Sequence, residues 1–155
     1  MLDIKMVTTD AELELVLDVY NRVRPKEALA LADVRSFIAQ TRETTDYVAS
    51  IDDVVVGAAY ASLLHERPDP RVDVIVLPPY RRRGVGSALY ETVSRWAAER
   101  GREALEVWLE DADPEAVAFA RRRGFVEFGR ELRVVLDLRQ STPCIEPPEG
   151  IEIVT

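Results

Sequence analysis

Val76-Leu77-Pro78-Pro79-Tyr80-Arg81-Arg82-Arg83-Gly84-Val85-Gly86-Ser87 carries a strand into a helix through a turn dense in arginine and glycine. Upstream, Arg71–Leu77 alternates, with Val72, Val74 and Val76 on one side and Asp73, Ile75 and Leu77 on the other. Pro78-Pro79 ends that strand. Downstream, Val85, Leu89, Val93 and Trp96 have helical spacing, and the helix runs to about Arg100, where Gly101 stops it. Gly84 and Gly86 allow a ligand to come close and permit backbone angles barred to other residues. The N–H groups of the first helical turn, backed by the positive end of the helix dipole, suit an anion. A diphosphate is the natural guest, and Arg81, Arg82 and Arg83 add charge around it. A bare glycine turn with solvated arginines is the competing reading of a strand–loop–helix taken alone. The stretch lacks both Gly-x-x-x-x-Gly-Lys-Ser/Thr and the third glycine of a dinucleotide fingerprint, so it is neither of those phosphate loops.

Working outward, Leu2–Val7 reads as a first strand. Thr9-Asp10-Ala11-Glu12 is a capping box, and the helix behind it aligns Leu13, Val16, Leu17 and Tyr20. A second helix is expected within Leu29–Thr41. Tyr47–Ile51 and Val54–Leu64 read as strands joined at Asp52-Asp53. Beyond Gly101, Ala104–Glu110 is the next strand. Asp113-Pro114 opens a further helix, as N-cap and first helical position, which carries Val117 and Phe119 and ends at Gly124. Phe125–Phe128 and Leu132–Leu138 are the last expected strands. The order β-α-α-β-β-β-α-β-α-β-β describes an α/β fold with a mixed sheet. The tetrapeptide Arg-Arg-Arg-Gly recurs at Arg121–Gly124, where it closes a helix, so its cations complement the negative dipole end and its spacing does not require a ligand.

Bulk properties narrow the function. At 155 residues, 47% hydrophobic and 31% charged, the chain is of ordinary globular composition. Its net charge of −8 argues against a general nucleic-acid binder and leaves the arginine clusters to local roles. A single cysteine, Cys144, excludes an intrachain disulfide and a cysteine-rich metal cluster. No apolar run approaches the length of a membrane span, and no basic-then-apolar leader is visible at the start, so a cytoplasmic location is expected.

Arg81-x-x-Gly84-x-Gly86, after Val76-x-Pro78-x-Tyr80, resembles the acetyl-CoA loop of the GNAT N-acetyltransferase superfamily. The element order over residues 1–140 and the terminal Gly124-Phe125 are similar to that fold as well. The resemblance implies that the cofactor diphosphate lies on the backbone of Arg82, Arg83, Gly84, Val85, Gly86 and Ser87, with Arg81 contributing charge. It implies that the pantetheine arm adds like a strand beside Val76, Leu77 and Pro78. A backbone N–H of Val76 or Leu77 would then polarise the acyl carbonyl. Asp113 and Phe119, on the helix before Gly124, complete the cofactor-binding set implied. The reaction expected is transfer of an acetyl group from acetyl-CoA to a primary amine of a small-molecule or peptide acceptor.

The chain departs from that family where a helical tyrosine usually protonates the leaving thiolate: Ala120 stands there. A thiol of pKa about 8.5 leaves with little help, whereas an amine of pKa about 10.4 must lose a proton before it attacks. Glu110 and Asp73 are the candidate bases, each with a bland alternative as a solvated or arginine-paired acid. The alternative function is an acyl-CoA-binding but catalytically weak module, the regulatory or structural half of a tandem protein or a homodimer. The tail feeds that idea. Residues 141–150 read as a proline-rich linker, and Ile151-Glu152-Ile153-Val154-Thr155 echoes Ile4-Lys5-Met6-Val7-Thr8, as the opening of a second such domain or an added edge strand.

Overall fold

The computed structural model describes residues 1–65, 67–132, 134–137 and 139. The proline-rich linker, Cys144 and the strand-like pentapeptide 151–155 lie outside them. The chain divides into two compact units, Met1–Leu109 and Glu110–Thr155.

In the first unit, strand β1 (Leu2–Met6) leads to helix α1 (Asp10–Val23) and, through a 3-10 turn at Pro25–Glu27, to helix α2 (Leu31–Ala39). Strands β2 (Thr41–Ile51), β3 (Val54–Leu64) and β4 (Arg71–Val76) follow, then helix α3 (Val85–Glu99). The sheet is antiparallel in the order β1-β2-β3-β4. The capping box forms as expected: Glu12 N–H donates to Thr9 Oγ1 at 3.3 Å and Thr9 N–H to Glu12 Oε2 at 3.1 Å. Asp52 and Asp53 take φ of +50° and +65°, the conformation a two-residue hairpin between right-twisted strands needs.

β2 begins at Thr41, six residues before the expected Tyr47. Its first half, Thr-Arg-Glu-Thr-Thr-Asp, is too polar to read as a strand. Pairing with the apolar β3 decides it, from Thr41↔Leu64 onward.

Helix α3 covers one face of the sheet with Val85, Leu89, Val93 and Trp96, packed on Ala49, Ala59, Ala61 and Val72. Helix α1 covers the other through Val19, against Ala58, Ile75 and Leu77. Small residues along β3 let α3 sit close. A Cβ on Gly57 would lie 3.0 Å from Ile75 O, 3.1 Å from Leu89 Cδ1 and 3.2 Å from Val85 Cγ1. Gly57→Ala is therefore expected to cost about 1–2 kcal/mol by pushing the start of α3 off the sheet, read as a lowered denaturation midpoint. An unchanged midpoint would show that this seat is slack.

The strand expected at Ala104–Glu110 is reduced to one parallel bridge, Arg71↔Glu106. Val72 N–H donates to Glu106 O at 2.8 Å and Glu106 N–H to Pro70 O at 2.9 Å. In the second unit, helix α4 (Pro114–Arg121) has Asp113 as its N-cap, accepting from Ala116 N–H at 3.0 Å. The described residues of the expected strands 125–128 and 132–138 form no ladder. Alternation there supplies a face, but a strand exists only through a hydrogen-bonded neighbour, which the described residues do not offer.

Candidate functional site

β4 pairs with β3 through its odd-numbered residues, and Leu77 N–H continues that side onto Val56 O at 2.9 Å. The even-numbered residues therefore direct their N–H and C=O groups to the opposite edge. There Val72 meets Glu106, and beyond that bridge no described residue pairs with the N–H groups of Val74 or Val76. The two backbones meet at Glu106 and make no further ladder among the described residues, so the N–H groups of Val74 and Val76 face an open edge, while the Val76 carbonyl accepts from Arg81 Nε. Of the two residues expected to polarise an acyl carbonyl, Leu77 has its N–H committed to Val56, and Val76 presents its N–H to the open edge.

The bridge is held by an ion pair that sequence reasoning missed. Arg67 Nη1 lies 2.5 and 2.6 Å from the two carboxylate oxygens of Glu106, whose side chain is buried. Thirty-nine residues separate the partners, so no local pattern signals the contact. Arg71 adds a cation–π contact, its guanidinium 5.4 Å from the Trp108 ring centre.

The open edge leads into the arginine–glycine turn. Pro78–Tyr80 forms one 3-10 turn, and Gly84 caps α3 at φ +83°. The first helical bond is Ala88 N–H to Gly84 O at 3.0 Å. The N–H groups of Val85 and Gly86 precede it and find no carbonyl within the helix. Val85's own side chain is buried in the core and fixes the turn. The three arginines do different things. Arg81 folds back, its Nε donating to Val76 O at 3.1 Å. Arg82 takes φ +62° and is exposed. Arg83, also exposed, lies over the Tyr80 ring at 5.7 Å.

Asp73 faces the opposite side of the sheet, under α1. Arg24, just after α1, donates to both of its oxygens, at 2.5 and 3.2 Å, and stacks over Tyr20 at 5.2 Å. Burial works against the guanidinium's charge, and the hydrogen bond and field of Asp73, with Tyr20, outweigh it and hold Arg24 above its ordinary range. The arginine-paired alternative for Asp73 is thus what the fold realises.

A second acid on that face, Asp46, was not singled out by sequence. It lies directly opposite Tyr60, which lies opposite Asp73. Burial alone pushes Asp46 up to about 6, and no described side chain hydrogen-bonds or ion-pairs with its carboxylate. Burial also pushes Tyr60 up to about 12, with the field of Asp73 adding to it.

In the second unit, Glu110 is exposed, and its carbonyl accepts from Asp113 N–H at 3.0 Å. Ala120 is buried. The second Arg-Arg-Arg-Gly closes α4 as expected: Phe125 N–H returns to Ala120 O at 3.2 Å, and Gly124 has φ +84°. Arg123 donates to Phe119 O at 3.1 Å with its guanidinium 3.4 Å from the Phe119 ring centre. Among the described residues no group of His, Cys, Asp and Glu is arranged to hold a metal, and no helix is long and apolar enough to cross a membrane.

The model of the acetyltransferase (GNAT) family matches residues 13–125. A mycothiol acetyltransferase of Catenulispora acidiphila is 38% identical over 102 residues, covering 65% of this chain and 32% of that protein. One from Nocardiopsis dassonvillei is 28% identical over 132 residues, covering 80% of this chain and 39% of the relative. The chain thus spans about a third of the length of these relatives. Among solved structures, the aminoglycoside acetyltransferase AAC(6')-Iy, in complex with a bisubstrate analogue, superposes with a TM-score of 0.71 at 23% identity, covering 88% of this chain and 99% of that one. An aminoglycoside acetyltransferase from an uncultured soil metagenomic sample, in complex with sisomicin, has a TM-score of 0.69 at 18% identity, covering 88% and 97%.

Proposed function

The chain belongs to the acetyltransferase (GNAT) family, and from that premise we propose that it transfers an acetyl group from acetyl-CoA to a primary amine. The observation that carries this reading is the open edge of β4 running directly into the glycine-capped start of α3. An arm that carries amides has a strand edge to pair with at Val74 and Val76, and a diphosphate has the first turn of α3. The thioester, when bound, supplies an activated acetyl group. The Val76 N–H is the donor the chain offers to the acyl oxygen, because Leu77 is already bonded. Exposed Arg82 and Arg83 remain near the anion, whereas Arg81 braces Val76 O.

In this reading the amine nitrogen bonds to the acetyl carbon, the carbon–sulfur bond breaks, and the amine's proton leaves to a carboxylate or water. Asp73 serves as that acceptor only after Arg24 lets go of it. With Ala120 in place of a helical tyrosine, the thiolate leaves unprotonated or takes its proton from water, which its acidity permits.

Calorimetric titration with acetyl-CoA, followed by a thiol-release assay over a panel of primary amines, tests the proposal. Binding with turnover is expected. Absence of binding would sink the donor-site reading. Tight binding with no turnover on any amine would make the chain a cofactor-binding module instead.

A further inference from the structure

β1 is an end strand of the sheet, at the opposite end from β4. Its sequence is Leu2-Asp3-Ile4-Lys5-Met6. Leu2, Ile4 and Met6 stand opposite Ile51, Ala49 and Tyr47 of β2, so they lie on the face that α3 covers. Ile4 packs against the core there, whereas Leu2 and Met6 are 36% and 56% exposed. Asp3 and Lys5 alternate onto the other face, both exposed, with Lys5 Nζ 3.4 Å from Asp3 Oδ2.

One bond sets the direction of the peptide groups. Val7 N–H donates to Asp46 O at 2.8 Å, and Val7 continues the register in which Met6 faces Tyr47. Bonded positions alternate along an antiparallel pair, so Asp3, Lys5 and Val7 spend their peptide groups on β2. Leu2, Ile4 and Met6 turn their N–H and C=O groups outward, where no described residue pairs with them. Such an edge is a template for another strand.

A lysine in an edge strand ordinarily guards it against pairing. Here the guard has its counterpart. Turned antiparallel about Ile4, the strand matches itself: Ile4 meets Ile4, Leu2 meets Met6, and Asp3 meets Lys5 on both sides of the centre. That register also joins peptide groups that face outward in both copies. Parallel pairing in register sets Lys5 against Lys5 and Asp3 against Asp3, which is unfavourable. The echo of this strand, Ile151-Glu152-Ile153-Val154-Thr155, carries an acid but no base, so it offers Asp3 no match.

We infer that β1 is a self-association edge, which pairs antiparallel with β1 of a second copy across a two-fold axis at Ile4. The two sheets become continuous. Leu2 and Met6 of opposite copies cover each other on one face, and Asp3–Lys5 pairs close the other. The seam is only five residues long, which suits a reversible dimer. β4 stands at the far end of each sheet, so the acyl-donor edge stays free.

Sedimentation velocity on the full chain at low salt, over about a hundredfold range of concentration, tests this. Wild-type protein should pass from monomer toward dimer as concentration rises. Lys5→Glu and Asp3→Lys should each weaken the dimer at least about tenfold, because each sets like charges across the seam. Both positions are exposed, and circular dichroism confirms that the variants fold. An equimolar mixture of the two variants puts every acid opposite a lysine again and should return to within about threefold of the wild-type dissociation constant. A wild type that stays monomeric throughout, a dimer that neither variant weakens, or a mixture no tighter than its components would overturn the inference. The readout is association alone, so it stands apart from whether the chain binds acetyl-CoA.

Discussion

Gly84→Glu should weaken acetyl-CoA binding by about a hundredfold or more, a loss of about 2.7 kcal/mol, without unfolding the protein. Gly84 stands at φ +83°, and a Cβ there would meet nothing within 4 Å. The substitution therefore fits sterically and costs only the strain of a left-handed residue, about 1–2 kcal/mol. Its effect on the ligand is electrostatic. A carboxylate at the N-cap of α3 would take the N–H groups of the first turn for itself and would repel a diphosphate from the same place. Gly84→Ala carries the strain without the charge and should stay within about tenfold of wild type. Calorimetry with acetyl-CoA distinguishes the cases. Unchanged affinity in Gly84→Glu would place the diphosphate elsewhere.

The second large effect is on stability against pH. Burial raises the folded-state pKa of Asp46 from 3.8 to about 6. A raised acid binds its proton more tightly in the folded state than in the unfolded one. Its contribution to stability is therefore greatest below pH 4, declines as pH rises from about 4 to about 6, and is flat above. The difference of about two pH units corresponds to about 3 kcal/mol lost by pH 7. Carboxylates such as Glu43, held low chiefly by its hydrogen bond to Arg100, run the opposite way and lose stability as pH falls. The difference between wild type and Asp46→Asn isolates the one group. The variant should be the more stable protein at pH 7, by about 1–3 kcal/mol, and the advantage should vanish near pH 4. Denaturation curves at pH 4, 5, 6 and 7 measure this. A constant difference across that range would show that Asp46 titrates normally.

Much of the fold was legible because it is written in local patterns. Val85, Leu89, Val93 and Trp96 fall on one buried face of α3, as their spacing requires. Thr9 and Glu12 cap α1, and the two halves of Arg71–Leu77 face the two helix layers as alternation demands. The turn before α3 was equally readable: Pro78 opens a 3-10 turn and Gly84 caps the helix at φ +83°, whereas Gly86 is an ordinary helical residue. Legibility failed where a partner decides the outcome. The polar first half of β2 became strand because β3 lies beside it. The apolar alternation at 104–110 became a single bridge, because pairing depends on the neighbour and not on the side chains alone.

The two Arg-Arg-Arg-Gly stretches show the same division. By itself the sequence determined their opposite tasks, since one precedes a helix and the other ends one, and helix polarity follows from chain direction. Only the tertiary structure decided which groups of the first are available. Arg81 turns back onto Val76 O, and Leu77 spends its N–H on Val56, leaving Val76 to face the open edge. It alone also joined Arg67 to Glu106 and Arg24 to Asp73, and set Asp46 beside Tyr60 with no described side chain paired to its carboxylate. Sequence fixes what each segment prefers over a few residues. Which hydrogen-bonding groups are used up, and which charges are buried, depends on contacts between residues dozens of positions apart.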